Sequence, residues 1–394
     1  MLARYREVIL QRPGASPATI QMKLDGAVSA GYTASGSRCR DLRVNANSQT
    51  RLGSSLSSNM TVNELLLSLF ALVLAASLSA CVTWAIRPLL LRHVLANPNA
   101  RSSHRIPTPQ GGGIAVVSTT LMVAGTILYA GLINFGIPAA VFGATLFIAL
   151  VGIVDDLKSI PMLPRLLLQA AAVGAVILAA PDDARIVQAY PLWIERCLLL
   201  LAGLWFVNLV NFMDGLDWMT VAEIVPVTGA MILLGWLGEF PVSGTIVAAA
   251  LCGAMIGFAP FNRPVARIFL GDVGSLPIGL LLGWCLLQLA YHQQFAAAVL
   301  LPLYYLSDAT VTLLLRMARR EPFWAAHRSH FYQRATDNGY SVSRVVSEVF
   351  ALNVGLACLA VATTMAAAPS VKILLLAAGC IAVAWLMFKF SHRR

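Results

Sequence analysis

LWIERCLLLLAGLWFVNLVNFMDGLDWMTVAEIVPVTGAMILLGWL, residues 192–237, holds two apolar runs and one polar break. The runs over 192–208 and 219–237 are each close to the roughly 20 residues a helix needs to cross a bilayer. The break is Asn208-x-x-Asn211-x-x-Asp214-x-x-Asp217, a polar group at every third position. That spacing keeps neighbouring members near one face of a helix or tight turn. Charge beside a membrane segment is costly and marks a functional site by default.

The pattern repeats along the chain. Hydrophobic residues make up 58% and charged residues 12% of 394 positions, with mean hydropathy +0.75. A soluble domain carries about 25% charge, so the chain reads as all-α and polytopic. The apolar runs predict about 10–11 transmembrane helices, at 64–86, 112–131, 138–153, 163–180, 192–208, 219–237, 242–258, 276–291, 295–315, 346–367 and 371–389. Strands of alternating polarity are missing, which argues against a membrane barrel. With the loop after the first run placed inside, seventeen of the 28 Lys and Arg fall in inside loops and the tail, and three outside. The positive-inside rule then puts the polar breaks, and any active site they form, on the cytoplasmic face. The seven cysteines show no C-x-x-C spacing, so neither a disulfide framework nor a zinc site is indicated.

Residues 1–59 differ in kind. They are rich in Ser, Ala and Arg and contain no spanning run, so they lack the apolar stretch of a secretory signal. Two domains are expected: an extension over 1–59, disordered or mis-assigned with translation starting at Met60, and a membrane-embedded domain over 60–394.

Four further inside loops carry chemistry. Asp155 and Asp156 end the third run in VGIVDDLKSIP. Adjacent residues on a helix point different ways, so the two carboxylates serve different ends, and anions at a helix C-terminus are otherwise disfavoured. Lys158 and Arg165 moderate their repulsion. Gly271, Asp272 and Ser275 in FLGDVGS open the eighth run, either as a helix cap or as a phosphate or metal turn. The first loop, NPNARSSHRIPTPQGGG, brings Arg101, His104 and Arg105, suited to phosphate. HRSHFYQR brings His327, Arg328 and His330, better placed as donors to a diphosphate or sugar than as a transition-metal pair. Asp308 lies within the ninth run and reads as buried against Arg316; Glu223 in the sixth run is similar. Carboxylates from three loops share a space only around something positive, and an oxygen-rich set suits Mg²⁺ or Mn²⁺ and, through it, phosphate.

SSHRIPTPQGGG, VGIVDDLKSIP, NLVNFMDGLD, FLGDVGS and HRSHFYQR, in that order and each at an inside loop, resemble the polyprenyl-phosphate N-acetylhexosamine-1-phosphate transferase family. The resemblance covers about residues 60–390 and is nearest to bacterial members that initiate O-antigen-like glycans. Members acting on phospho-MurNAc-pentapeptide carry adjacent histidines, where this chain has Phe331-Tyr332-Gln333 after His330.

The resemblance implies a Mg²⁺-dependent phosphoglycosyl transferase in the bacterial inner membrane. It would move HexNAc-1-phosphate from a UDP-N-acetylhexosamine to undecaprenyl phosphate and release UMP. Asn211 and Asp272 would hold the metal, and Asp155 and Asp156 would act at the acceptor phosphate. Arg101, His104, Arg105, Lys158, Asn208, Asp214, Asp217, Gly271, His327, Arg328 and His330 would contact substrates. Membrane lipids and a homodimer are the other expected partners, and nucleic acid is not one. The competing readings are a muramoyl-pentapeptide transferase and, in another class, a transporter, which would move solute without releasing UMP.

Overall fold

The computed structural model describes residues 61–96, 107–130, 139–322 and 327–393. The expected extension over 1–59 and the loop residues Arg101, His104 and Arg105 lie outside these. The described chain is a helical bundle: α1 (Val62–His93), α2 (Gly113–Tyr129), α3 (Ala139–Leu157), α4 (Met162–Leu178), α5 (Leu192–Met213), α6 (Met219–Trp236), α7 (Val242–Phe258), α8 (Asp272–Tyr291), α9 (Phe295–Leu300), α10 (Leu303–Ala318), α11 (Phe331–Asp337), α12 (Val342–Met365) and α13 (Pro369–Phe390). Eight of these are long and apolar enough to cross a membrane, α7 with the short 3-10 turn that follows it included; α2 and α4 are apolar but shorter. The protein is a multi-pass membrane protein. Large apolar side chains cover its outer surface, among them Trp84, Trp193 and Phe388.

The expected ninth span is not one helix. The run over 295–315 breaks into α9 and α10 at Leu301-Pro302, because proline has no N–H to continue the ladder and its ring clashes with the preceding turn.

Small residues decide how closely the long helices pack. On α7, Gly253-x-x-x-Gly257 faces α1, where a Cβ on Gly257 would lie 3.0 Å from the Ala80 nitrogen. Ala71, Ala75 and Ser79 on α1 are fully buried, and Ser79 Oγ donates to the Ala254 carbonyl at 2.7 Å. This is the small-xxx-small packing of helices in lipid, where close backbone approach replaces a hydrophobic drive.

A short pairing organises one end of the bundle. β1 (Leu95–Ala96) and β2 (Thr108–Pro109) are antiparallel, and Gln110 bridges in parallel to Phe269. The amides of Gly112 and Gly113 donate to the carbonyls of Phe269 and Leu270, both at 2.8 Å. The triple glycine packs against the segment leading into α8. The ends of α3 and α5, the starts of α4, α6 and α8, and α11 gather here. At the opposite end Arg185 pairs with Glu195 and Arg196 with Asp182, which offsets part of the positive charge there. The six described cysteines are free thiols.

Candidate active site

Asp155 and Asp156 end α3, and as the helical offset predicts they face different partners. Asp156 accepts from Gln110 Nε2 at 2.5 Å and from the amides of Asp272 and Val273 at 2.9 and 3.1 Å. It therefore caps the first turn of α8 from another helix, supplying an acceptor for amides that a helix start leaves without one. Asp155 accepts from the Ile160 amide at 2.6 Å and pairs with Arg165 at 2.9 Å. Lys158, expected to share that work, is exposed.

Because Asp156 does the capping, Asp272 keeps its own side chain for other contacts. The residue before it, Gly271, has φ +79° and ψ 171° and makes no side-chain cap. Asp272 Oδ1 accepts from Asn211 Nδ2 at 2.8 Å, and Asn211 also reaches Ser275 Oγ at 2.9 Å. The Asp272 carboxyl interacts electrostatically with that of Asp155. Two carboxyls that interact repel each other when both are ionised, so their meeting favours a proton or a cation shared between them. Asp155, Asn211 and Asp272 thus meet in one place, from three separated stretches of sequence.

The rest of the NxxNxxDxxD set divides. Asp214 follows the end of α5 and accepts from Thr220. Burial pushes its carboxyl up to about 6, with Asp156 and Asp217 adding repulsion. Asp217 accepts from the Ala266 amide at 2.9 Å; it does not cap α6, whose start is formed by Trp218 in the left-handed region. Trp218 is tied down by Asn262 and the Ala259 carbonyl. Asn208 does not join the carboxylates. Its amide donates to Gln169 on α4 at 2.7 Å, a bond that satisfies two polar groups between packed helices.

HRSHFYQR sits over the end of α5. Tyr332 Oη donates to the Phe212 carbonyl at 3.0 Å, next to Asn211, and a Cβ on Gly215 would meet the Tyr332 side chain. His330 is buried, with its ring 5.0 Å from that of His327, 5.7 Å from Tyr332 and 6.4 Å from Phe212. Arg328 pairs with Asp337 at 3.1 Å and bonds Thr336. The expectation that Asp308 pairs with Arg316 is wrong. Arg316 pairs with Glu321 at 2.8 Å, and Asp308 holds the His330 segment instead: His330 Nδ1 lies 3.2 Å from Asp308 Oδ1. The sequence marked Asp308 as buried and charged, but the partner lies 22 residues on across a chain reversal. Glu223, fully buried on α6, accepts from Asn353 of α12 at 2.7 Å.

Among the described residues no group of three or more His, Cys, Asp or Glu side chains is arranged to hold a metal. Two carboxyls beside an amide still fit Mg²⁺, which takes one or two carboxylates and completes its shell with water and substrate phosphate.

A profile described as glycosyl transferase family 4 matches residues 138–290, the stretch from α3 through α8 that carries Asp155, Asp156, Asp214, Asp217 and Asp272. The chain is similar to the decaprenyl-phosphate N-acetylglucosaminephosphotransferase of Mycolicibacterium smegmatis, 29% identical over 332 residues, which span 74% of this chain and 80% of that one. It is 26% identical to a phospho-N-acetylmuramoyl-pentapeptide-transferase of Rhodopseudomonas palustris, over 71% of this chain and 88% of that one. It is 27% identical to the decaprenyl-phosphate N-acetylglucosaminephosphotransferase of Mycobacterium tuberculosis, over 70% and 77%. The chain is a multi-pass membrane protein, and its matches are sugar-phosphate transferases. They support, for this chain, the polyprenyl-phosphate N-acetylhexosamine-1-phosphate transferase family.

Proposed function

We propose that this chain transfers HexNAc-1-phosphate from a UDP-N-acetylhexosamine to undecaprenyl phosphate, releasing UMP, on the cytoplasmic face of a bacterial inner membrane. The product would begin a cell-surface glycan of O-antigen type. The observation that carries the reading is the meeting of Asp155, Asn211 and Asp272 beside the His330 loop. Asp272 and Asp155 would supply the oxygens for Mg²⁺ (or Mn²⁺). Asn211, which donates to Asp272, fixes the direction of that carboxylate. When bound, the ion would supply charge neutralisation to the donor diphosphate.

The chain's own groups do the remainder. Arg165 holds Asp155 in place, and Asp156 holds the start of α8, so the two carboxyls keep their separation as substrates arrive. A phosphate monoester has its second pKa near 6 and is mostly dianionic at neutral pH, so positioning and charge neutralisation matter more than a strong base. Asp155 orients the attacking phosphate in a one-step displacement; retention at phosphorus from a chirally labelled donor would reject that route for a covalent aspartyl one. An apolar cavity of about 230 Å³ lies between α4, α5, α8 and the α9–α10 break, lined by Val176, Phe206, Gly283, Trp284 and Val299 among others. It suits part of a polyprenyl chain.

The test is incubation of the purified protein with undecaprenyl phosphate, Mg²⁺ and a panel of UDP-HexNAc donors, with UDP-MurNAc-pentapeptide as one arm. Mass spectrometry of the lipid fraction is expected to show a HexNAc diphospholipid, with UMP released. A product only in the pentapeptide arm would move the chain to peptidoglycan synthesis, and no lipid product in any arm would refute the reading.

A further inference from the structure

The Asp308 carboxylate is fully buried within α10 and has no part in the cluster described above. It is nonetheless bonded from five directions. Oδ1 faces His330 Nδ1 at 3.2 Å, the Phe331 amide at 3.0 Å and Thr312 Oγ1 at 3.3 Å. Oδ2 accepts from the Tyr332 amide at 3.1 Å and from Tyr304 Oη at 3.2 Å. A buried carboxylate of this kind is tolerated because its lone pairs are satisfied. The donors are not spread at random. Three come from consecutive residues, 330 to 332, where the chain turns into α11.

Two consequences follow. The carboxylate faces Nδ1, so His330 carries its proton there and its Nε2 is left unprotonated in the neutral ring. The ring is also fixed in angle, by Asp308 on one edge and by Tyr332 and Phe212 around it. Meanwhile the Tyr332–Phe212 bond ties the same segment to the end of α5, one residue from Asn211.

We propose that Asp308 is a positioning residue for the transfer reaction. It acts through His330, setting that imidazole's tautomer and holding it over the donor diphosphate beside Asn211. This rests on the proposed function, because it assigns His330 to the donor.

The experiment is a double-mutant cycle on the full chain: wild type, Asp308→Asn, His330→Ala and the double variant, each assayed for kcat and donor KM with undecaprenyl phosphate and the donor found active. Asp308→Asn is expected to lower kcat/KM by roughly 10–100-fold, the range for groups that orient a functional ligand from behind. The double variant is expected to be no slower than His330→Ala within about 2-fold, since contacting residues in one path do not add. A merely structural Asp308 would give losses that multiply, and that result, or an unchanged kcat/KM in Asp308→Asn, overturns the proposal. Tyr304→Phe, which removes one donor to Oδ2 and keeps the charge, covers the case in which Asp308→Asn does not fold. Its smaller loss must vanish in the His330→Ala background, and persistence there overturns the proposal too. Nitrogen-15 spectra of the imidazole add a readout that stability does not move: Asp308→Asn should shift the ring toward the Nε2-protonated tautomer. A wild type inactive with every donor would instead refute the function itself.

Discussion

Gly271→Ala is the sharpest probe of how α8 begins. At φ +79° and ψ 171° Gly271 occupies a region open essentially to glycine, and a side chain there costs about 1–3 kcal/mol in backbone strain. The new Cβ would also lie 2.6 Å from Asp156 Oδ2 and 3.0 Å from Gln110 Cγ. Ordinary contact requires the carboxylate to retreat by roughly 0.7 Å, at van der Waals carbon–oxygen separation. Asp156 Oδ2 accepts the Val273 amide at 3.1 Å, so a retreat of that size breaks a charge-assisted bond worth about 1.5–3 kcal/mol. The sum is about 2.5–6 kcal/mol, or on the order of 4–9 °C in midpoint for a domain of this size. Activity should fall further, because Asp272 moves with the turn. Gly355→Ala on α12 is the control: nothing lies within 4 Å of its added Cβ, and an alanine in a helix interior is expected to stabilise by about 0.5–1 kcal/mol. Both variants would be followed by thermal unfolding in detergent and by product formation. If Gly271→Ala melts and works like the control, the described start of α8 is wrong, and the capping role of Asp156 falls with it.

Asp272→Asn should abolish turnover while the protein still inserts and purifies, and chelation of divalent metal should silence the wild type until Mg²⁺ is returned; full activity in the variant would remove the metal assignment. Arg165→Met leaves Asp155 without its guanidinium and should lower kcat by about 10-fold or more, since misplacement near the chemistry is expensive. Its effect on stability should stay within about 1 kcal/mol, because the arginine is partly exposed; wild-type kcat in the variant, or a markedly larger loss of stability, would contradict this. Gly257→Leu should separate α1 from α7 and lower the yield of monodisperse protein on size-exclusion chromatography, whereas an unchanged profile would show that the two helices do not pack through that stripe.

The helical, multi-pass fold was legible because apolar runs of near-spanning length carry their own signal. The Asp155, Asn211 and Asp272 meeting was legible for a related reason. Each closes or opens a run on the same side, so alternation of the spans brings them to one end. What the sequence hid depends on contacts across the chain. Pro302 sits within an apolar run whose composition does not distinguish a broken helix from a whole one. Asn208 keeps the three-residue spacing of its neighbours, yet it lies nearly a turn back along α5, level with Gln169. Asp308 pointed by spacing to Arg316 on its own helix, but a carboxylate facing a reversal of the chain is reached first by backbone amides.

The Asp155–Asp156 pair shows why adjacency in sequence yields division of labour. A helix beginning at an aspartate would ordinarily use that side chain on its own first amides. In α8 those amides are taken by Asp156, from a residue 116 positions earlier. Asp272 is thereby released to face Asn211 and Asp155. The arrangement requires Asp156 and Asp155 to diverge by about 100° around α3, which consecutive helical residues do without strain. It also requires a residue with no side chain at 271, where the Asp156 carboxylate passes. Separating the two aspartates by one inserted residue would rotate one of them out of reach of α8. Asp272 would then return to capping its own helix, and the cluster would lose the carboxyl that Asn211 and Asp155 are placed to meet.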